Sequence, residues 1–325
     1  MNFPRRGFLH FVACGAALPA VSRIACAQTY PTRPVRIIVG YAPAGGTDIT
    51  ARLIGQWLSE RLGQQFIVEN RPGANSNIAT EAVVRAPADG YTLLMVSAAC
   101  AINATLYDKL NFNFIRDIAP VAAIISLPNV MEVNPSIPTR SVPEFIAYAK
   151  ANPGKVNMAS GGIGTSQHLT GELFKTVTGV NMVHVPYRGG ALAITDLLAG
   201  QVQVYFGVLS ASVEYIKAGR LRALAVTTAM RSLVLPDVPV VSDFVPGFEA
   251  SDWFGIVAPK NTPAEVVNKL NREINASLAD PMMKTRLADM GGTTLAGSPA
   301  DFGRLVVEET EKWAKVVKFS GAKPE

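Results

Sequence analysis

The sequence VRIIVGYAPAGGTDITARL, residues 35–53, joins a short apolar run to an amphipathic segment through a pair of glycines. The run 34–40 predicts a buried β-strand, and residues 48–63 predict a helix. The apolar residues that recur there at helical spacing are Ile49, Leu53, Ile54, Trp57, Leu58 and Leu62. A glycine turn between strand and helix places backbone N–H groups at a helix N-terminus, where an anion is favoured. The turn could therefore hold a nucleotide phosphate, a reacting substrate or a free carboxylate.

Strand and helix patterns alternate along the rest of the chain. QFIVENRPGA, NIATEAVVRAPADG and YTLLMVSA predict a strand, a helix and a strand in succession. This alternation predicts an α/β protein with a largely parallel sheet, which binds ligands beyond the carboxyl ends of its strands. Two long apolar runs, near residues 125–133 and 250–258, predict paired crossings between two lobes. We therefore expect a discontinuous first lobe, residues 28–127 plus 250–325, and a second lobe, residues 128–249.

The first 27 residues have the pattern of a secretory signal peptide, with a basic start, an apolar middle and an A-x-A site before Gln28. RRGFL at residues 5–9 also fits a twin-arginine signal, so the general and the twin-arginine export routes both stay open. No later segment predicts a transmembrane helix. We expect a protein that is soluble in the periplasm after cleavage behind Ala27.

Composition limits the classes of function. Apolar residues make up 49% and charged residues 17% of the 325 residues, which favours a folded protein over a disordered one. Loss of the signal peptide removes three arginines and no acids, which leaves 27 basic against 25 acidic residues and a net charge of +2. Such a surface is not typical of nucleic-acid binding. Only Cys100 remains in the mature chain, so no internal disulfide is expected.

Two further glycine turns resemble the first turn, residues 41–48. The second turn, SGGIGT at residues 160–165, and the third turn, YRGG at residues 187–190, each follow a predicted strand and enter a predicted helix. Glycine also serves such turns for conformational reasons alone, so any single turn has a purely structural interpretation. Three turns divided between two predicted lobes favour a ligand site. Thr47 and Asp48 suit helix capping, and we expect Asp48 mainly to cap its helix at the edge of the cleft.

Side chains beside the turns extend this prediction. Tyr41, Tyr187 and Trp253 are candidates to close on a small molecule. Arg188 either pairs with a carboxylate or stays in solvent. We expect His168 to be a hydrogen-bond donor in the cleft or a residue of the helix surface, and His184 to be a core histidine.

Nucleotide, metal and hydrolase sites have weak support. Residues 162–167 lack the third glycine of G-x-G-x-x-G, and no G-x-x-x-x-G-K-[ST] loop is present. The two histidines of the mature chain have no metal-ligand spacing, so no metal is expected. One hydrolase arrangement stays open, Ser160 or Ser166 with His168, although no orienting acid is identifiable.

Five blocks carry a family resemblance: YPTRPVRIIVGYAPAGGTDITARLIGQWLSERLGQQFIVENRPGANSNIATEAVVRAPADGYTLLM, MASGGIGTSQHLTGELF, HVPYRGGALAITDLLAGQVQVYF, AGRLRALAVTT and VPGFEASDWFGIVAPKNTP. They resemble, in the same order, the Bug-family solute-binding proteins, the receptors of tripartite tricarboxylate transporters. The resemblance covers essentially the whole mature chain. It implies a type II periplasmic-binding-protein fold, in which two α/β lobes are joined by a two-strand hinge and close on a ligand. It also implies a monomer without catalytic activity or cofactor. Such a monomer delivers a small organic carboxylate to a small and a large membrane subunit. A sensor that docks to a signalling protein is the alternative.

The resemblance also implies the ligand-binding residues, since the family's glycine-rich loops hold a carboxylate largely through backbone amides and ordered water. The implied residues are Ala44, Gly45, Gly46 and Thr47, then Ser160, Gly161, Gly162, Gly164 and Thr165, with His168, Ser97, Ala98, Tyr187, Arg188, Gly189 and Gly190. Gly207 stands where the family often has an acid, which argues against an amino-acid ligand. The apolar segment VSAACAIN favours an aromatic or otherwise apolar carboxylate, and a dicarboxylate is the other option.

Overall fold

The computed structural model describes residues 30–324, so the predicted signal peptide and its cleavage site lie outside the described residues. Within them, strands and helices alternate as the sequence predicts, and the α/β fold with two lobes is confirmed. No helix among these residues combines the length and the apolar character needed to cross a membrane.

The first lobe begins with the predicted strand–turn–helix unit. Its elements are β1 Val35–Val39, α1 Gly46–Leu62, β2 Phe66–Asn70, α2 Asn77–Val84, β3 Thr92–Ser97 and α3 Ala98–Leu106. Strand β1 lies between β2 and β3 and is parallel to both. The carboxyl end of β1 therefore leads directly into the first turn.

One long strand, β4 at Ile118–Val133, belongs to both sheets. Up to Pro128 it pairs antiparallel with β9, Ser251–Pro259, in the first sheet. From Asn129 onward it pairs antiparallel with two strands of the second sheet. The sheet is therefore mixed rather than largely parallel, because the strands that cross between the lobes run against their neighbours.

The second lobe repeats the strand–turn–helix unit. Its elements are α4 Val142–Ala151, β5 Val156–Ser160, α5 Ser166–Thr178, β6 Met182–Pro186, α6 Gly190–Leu198, β7 Val204–Val208, α7 Leu209–Lys217 and β8 Arg222–Val226. Strand β5 is parallel to β6 on one side and to β7 on the other. The second and third turns thus emerge side by side at one end of the sheet.

The chain then returns to the first sheet through β9 and ends in helices. These elements are α8 Ala264–Ala279, α9 Pro281–Asp289, the short strand β10 Thr293–Thr294, and α10 Pro299–Ser320. The indole N–H groups of Trp253 and Trp313 both donate to Glu309 Oε2, at 3.1 and 2.9 Å. Trp253 is buried in this contact, so it does not close on a ligand as the sequence suggested.

Two local predictions need correction. Helix α1 begins at Gly46, and Ile49 is exposed, while Ala51, Ile54 and Leu58 face the core. The segment 98–106 is helix α3, which the sequence did not predict because nearly all of its residues are buried and no polar face marks a period.

Candidate ligand-binding site

The first turn presents free backbone donors at the amino end of α1. Gly45 is the N-cap and has no side chain to cap the helix. The N–H groups of Gly45, Gly46 and Thr47 donate to no residue in 30–324. Ala44 is exposed at a φ of 67°, in the left-handed region, which turns the chain toward the helix. The turn therefore leaves backbone donors unused at an end of the helix where an anion is favoured.

Asp48 holds this turn in shape instead of capping the helix. Its Oδ2 accepts the Ala44 N–H at 2.9 Å, and Arg52 binds both oxygens at 2.9 and 3.0 Å. Asn70 Nδ2 donates to Oδ1 at 2.9 Å. Burial alone raises the pKa of Asp48, but the bonds from Arg52, Ala44 and Asn70 outweigh it and lower that pKa. The predicted N-cap role is wrong, and the carboxylate is fully engaged by the protein.

Tyr41 and Ser97 lie together at the edge of the first lobe. Their hydroxyl oxygens are 3.1 Å apart. Ala98, at the amino end of α3, donates its N–H to Asp252 Oδ1 at 3.2 Å. The backbone N–H of Ala98 is therefore used within the protein and is not available to a ligand.

The second turn uses most of its donors internally. Gly162 N–H donates to Ser160 Oγ at 3.1 Å, and Thr165 N–H donates to the Gly162 carbonyl at 3.3 Å. Gly164 N–H donates to His168 Nδ1 at 3.2 Å. Thr165 caps α5 through its side chain, which accepts the His168 N–H. Among the predicted glycines of this turn, Gly161 alone donates to no described residue.

The side chains of His168 and His184 lie against the second turn. Their rings stack with centroids 3.8 Å apart, and His184 Nε2 lies 2.7 Å from Ser160 Oγ. Burial lowers the pKa of His168 to about 3 and that of His184 to about 4, so both rings are neutral at pH 7. His168 is buried and accepts from Gly164. It therefore stabilises the turn and does not donate into the cleft or lie on the helix surface.

The third turn is bonded to the second. Tyr187 N–H donates to the Ser160 carbonyl at 3.0 Å, and Gly189 N–H donates to the Gly161 carbonyl at 3.1 Å. The Tyr187 hydroxyl donates to Asp196 Oδ2 at 2.6 Å. Arg188 is exposed and has no hydrogen bond or ion pair with the described residues. The structure thus places the second and third turns together as one surface of the second lobe.

Gly207 lies in β7 beside two buried side chains. A Cβ atom at this position would lie 2.4 Å from the Tyr205 ring and 2.7 Å from Glu132 Oε1. Glu132 is fully buried and accepts from Ser212 through Oε1, while its Oε2 has no hydrogen-bond partner among residues 30–324. Gly207 is therefore required by packing, and the acid of this region is Glu132 on the neighbouring strand.

Two polar side chains form hydrogen bonds between the lobes, in addition to the apolar core that the lobes share. Asn75 Nδ2 donates to the Gly164 carbonyl at 2.9 Å, joining the segment after β2 to the second turn. Asp252 Oδ1 accepts from Ala98, while its Oδ2 accepts from Ser166 at 3.1 Å, so one carboxylate binds the amino ends of α3 and α5. Burial raises the pKa of Asp252 to about 6.

Sequence reasoning missed Asn75, Asp252, Glu132 and Tyr205. The signals were partial: Asp252 and Glu132 are lone acids within apolar strands, which indicates buried carboxylates without identifying their partners. Nothing in the sequence relates Asn75 to Gly164.

The predicted hydrolase pairs are not assembled. Ser160 is bonded to His184 instead of His168, and Ser166 is bonded to Asp252. No acid within residues 30–324 bonds the His184 ring. The same residues contain no group of histidine, cysteine and acidic side chains arranged to hold a metal ion.

Comparison with known proteins identifies the relatives of this arrangement. Residues 50–321 match the family described as the tripartite tricarboxylate transporter family receptor. The chain is 36% identical over 326 residues to protein BugT of Bordetella pertussis, and the match covers 99% of each protein.

The chain is also similar to solved structures over both of its lobes. Rpa4515 of R. palustris, solved with adipate, superposes with a TM-score of 0.85 at 38% identity, covering 91% of this chain and 100% of that one. MatC (Rpa3494) of Rhodopseudomonas palustris, solved with bound malate, gives a TM-score of 0.81 at 30% identity, covering 89% and 100%. The matches span both sheets, so the similarity concerns the whole two-lobe arrangement.

Proposed function

The chain belongs to the tripartite tricarboxylate transporter receptor family, and on that premise we propose that it captures a small organic carboxylate between its lobes. The two lobes divide near Pro128 and Ala250, where β4 changes its pairing partners and the chain returns to the first sheet. The cleft between them closes on the carboxylate. The captured ligand is then delivered to the small and large membrane subunits of a tripartite transporter.

The observation that carries this proposal is the uncapped amino end of α1. The free N–H groups of Gly45, Gly46 and Thr47 can donate to a carboxylate, and the helix dipole favours its negative charge. Asp48 adds no repulsion of its own to the turn, because Arg52 neutralises it. A rigid turn with unused donors suits reversible binding of an anion.

The buried groups of the second lobe support binding over catalysis. His168 and His184 are neutral, and the Ser160 hydroxyl is buried beneath its own turn. A serine nucleophile needs an accessible oxygen and an oriented base. His184 is bonded to Ser160, but the Ser160 oxygen is buried and the first requirement is not met, so we propose that the protein is a receptor without catalytic activity.

The ligand class follows from relatives and from the free donors. Rpa4515 was solved with adipate and MatC with malate, both dicarboxylates. We propose a dicarboxylate of this size for the present chain. The protein acts as a monomer in the periplasm after cleavage behind Ala27, and N-terminal sequencing of the exported protein should begin at Gln28.

A thermal-shift screen of the mature protein tests the proposal. Adipate, malate and benzoate are compared with dimethyl adipate, which has the same chain without the charges. A ligand that binds only the folded state at about 100 times its Kd adds about 2.7 kcal/mol to the unfolding free energy. We expect one of the acids to raise the Tm by several degrees and the ester to have no effect. A protein that no acid stabilises, and that hydrolyses the ester, would contradict the proposal.

A further inference from the structure

A buried acid, Asp252, lies directly behind the surfaces that are predicted to face the ligand. Its Oδ1 accepts the N–H of Ala98, and the preceding Ser97 has its hydroxyl oxygen 3.1 Å from that of Tyr41 beside the first turn. Its Oδ2 accepts from Ser166 at 3.1 Å, and Ser166 follows directly on the second turn. Asp252 is only 9% exposed. A charge on this carboxyl group therefore lies close to the ligand site of both lobes, although other residues separate it from the cleft.

No positive charge compensates Asp252 directly. Within residues 30–324, no lysine, arginine or histidine forms an ion pair with it. The other titratable groups that face it are Tyr41, Cys100 of α3, and Glu309 of α10, which is paired with Lys312. Burial raises the pKa of Tyr41 and of Cys100, so both are neutral at pH 7. Burial, together with Glu309, raises the pKa of Asp252 to about 6, so this acid can gain a proton only slightly below neutral pH.

The hydrogen bonds of Asp252 suit both the charged and the neutral carboxyl group. A serine hydroxyl can donate or accept, so Ser166 can donate to a carboxylate or accept from an Oδ2–H group. Oδ1 keeps its two backbone N–H donors in either state. Asp48 differs, because the Arg52 guanidinium binds both of its oxygens and can only donate. Of these two acids, Asp252 is therefore the one whose partners allow it to gain a proton.

An anion bound nearby disfavours a second negative charge in the same buried region. We propose that Asp252 takes up a proton when the ligand carboxylate enters the cleft, so that binding strengthens as the pH falls. The proton comes from the solvent and bonds to Oδ2, while the Ser166 hydroxyl turns from donor to acceptor. The pKa of Asp252 is then higher in the bound protein than in the free protein, and the added affinity is lost as the pH rises through the bound-state pKa. This inference rests on the proposed function, since it needs an anionic ligand between the lobes.

Asp252→Asn tests the coupling, because asparagine has the size and the hydrogen bonds of the protonated acid but does not titrate. Glu132→Gln is the matched control. It also removes a buried acid that accepts from a serine, Ser212, but the pKa of Glu132 is about 8, so this acid keeps its proton at pH 6.5 with or without ligand.

Proton uptake is counted by calorimetric titration at pH 6.5 in bis-Tris and in imidazole, two cationic buffers with different ionisation enthalpies. The ligand is adipate, or whichever acid of the screen binds the wild type. With a pKa of Asp252 higher by about one in the bound protein, the wild type and Glu132→Gln should each take up about half a proton more than Asp252→Asn.

The affinity at pH 8 gives a second measurement with a definite direction. The wild-type carboxyl group is charged there and repels the ligand, whereas Asp252→Asn is neutral. With the same difference in pKa, we expect the variant to bind about tenfold more tightly than the wild type. A residue that only supported the fold would weaken binding when replaced, and weaker binding by Asp252→Asn at pH 8 would overturn the proposal.

The outcomes separate the two proposals. A wild type that binds no acid of the screen overturns the proposed function, and the coupling with it. A wild type that binds, with the same proton uptake as a folded Asp252→Asn variant, overturns only the coupling. If Asp252→Asn does not fold, infrared difference spectra of the wild type at pH 6.5 decide, with the ligand carboxylates labelled with carbon-13. Ligand should add the C=O band of a protonated protein carboxyl group, and no gain of this band overturns the proposal.

Discussion

The side-chain amide of Asn75 in the first lobe donates a hydrogen bond of 2.9 Å to the carbonyl oxygen of Gly164 in the second. The same amide donates to Asn103 Oδ1 at 3.0 Å, which fixes it to α3. Asn75 and its neighbours Ala74 and Ser76 have φ values of 50°, 45° and 75°. Left-handed backbone costs roughly 1–2 kcal/mol for residues such as alanine and serine, while asparagine tolerates it better. The first lobe therefore keeps a strained segment at the point where it contacts the second.

Replacing Asn75 by glycine should favour the open arrangement of the lobes. Glycine relieves the backbone and removes the bond to Gly164, so the contact is lost without damage to the fold. Small-angle X-ray scattering without ligand should give a larger radius of gyration than for the wild type. Ala74→Gly is the control, because it relieves the backbone and keeps the bond. Identical scattering from Asn75→Gly and Ala74→Gly would show that the bond does not hold the lobes together.

Asp48 should govern stability and the shape of the first turn rather than ligand contact. Asp48→Asn keeps an acceptor for the Ala44 N–H but loses the ion pair with Arg52, and we expect it to lower the unfolding free energy by roughly 1–3 kcal/mol. Asp48→Ala also releases Ala44 and should weaken adipate binding. Urea unfolding and calorimetry measure the two effects. A stable Asp48→Asn variant that no longer binds adipate would place this carboxylate in the ligand site after all.

Glu132 should make the protein less stable as the pH rises. Burial raises its folded pKa from 4.5 to about 8, so across that window the folded state keeps a proton that the unfolded chain has released. The unfolding free energy therefore falls as pH rises through the window, by roughly 3–5 kcal/mol in total. Glu132→Gln cannot titrate. Urea unfolding at pH 5 and pH 8 should show a smaller loss of unfolding free energy for this variant than for the wild type. Equal losses in the two proteins would contradict the prediction.

His168 should make the protein less stable as the pH falls. Its pKa falls from 6.5 to about 3 in the folded state, so below pH 6.5 the unfolded chain takes up a proton that the folded state refuses. This difference in proton uptake between the two states lowers the unfolding free energy by about 2 kcal/mol between pH 6.5 and pH 5. His168→Asn offers an oxygen to the Gly164 N–H without titrating. Its Tm should fall less than that of the wild type from pH 7 to pH 5, and an equal fall would contradict the assignment.

The strand–turn–helix units were predictable because their signals are local. The apolar run before Gly45, the glycines and the helical period of 48–63 all lie within one short stretch. The contact between Asn75 and Gly164 was not predictable, because it joins residues 89 positions apart and depends on how the lobes meet. The sequence also does not predict which backbone N–H groups of the second turn are free to bind a ligand. Whether Gly164 N–H is free depends on the orientation of the His168 ring, which the sequence does not specify.

The central claim is that the amino end of α1 holds a ligand carboxylate, and a charge placed at Gly46 tests it most directly. A Cβ atom there meets Phe254 at 3.4 Å, an ordinary contact, and an acid at a helix N-terminus does not destabilise the helix. Calorimetric titration with adipate, or with whichever acid of the screen binds the wild type, compares Gly46→Asp with the uncharged Gly46→Asn. We predict that Gly46→Asn retains binding and that Gly46→Asp loses it, because the new carboxylate repels the ligand and competes for its amides. Equal affinity in the two variants would contradict the claim.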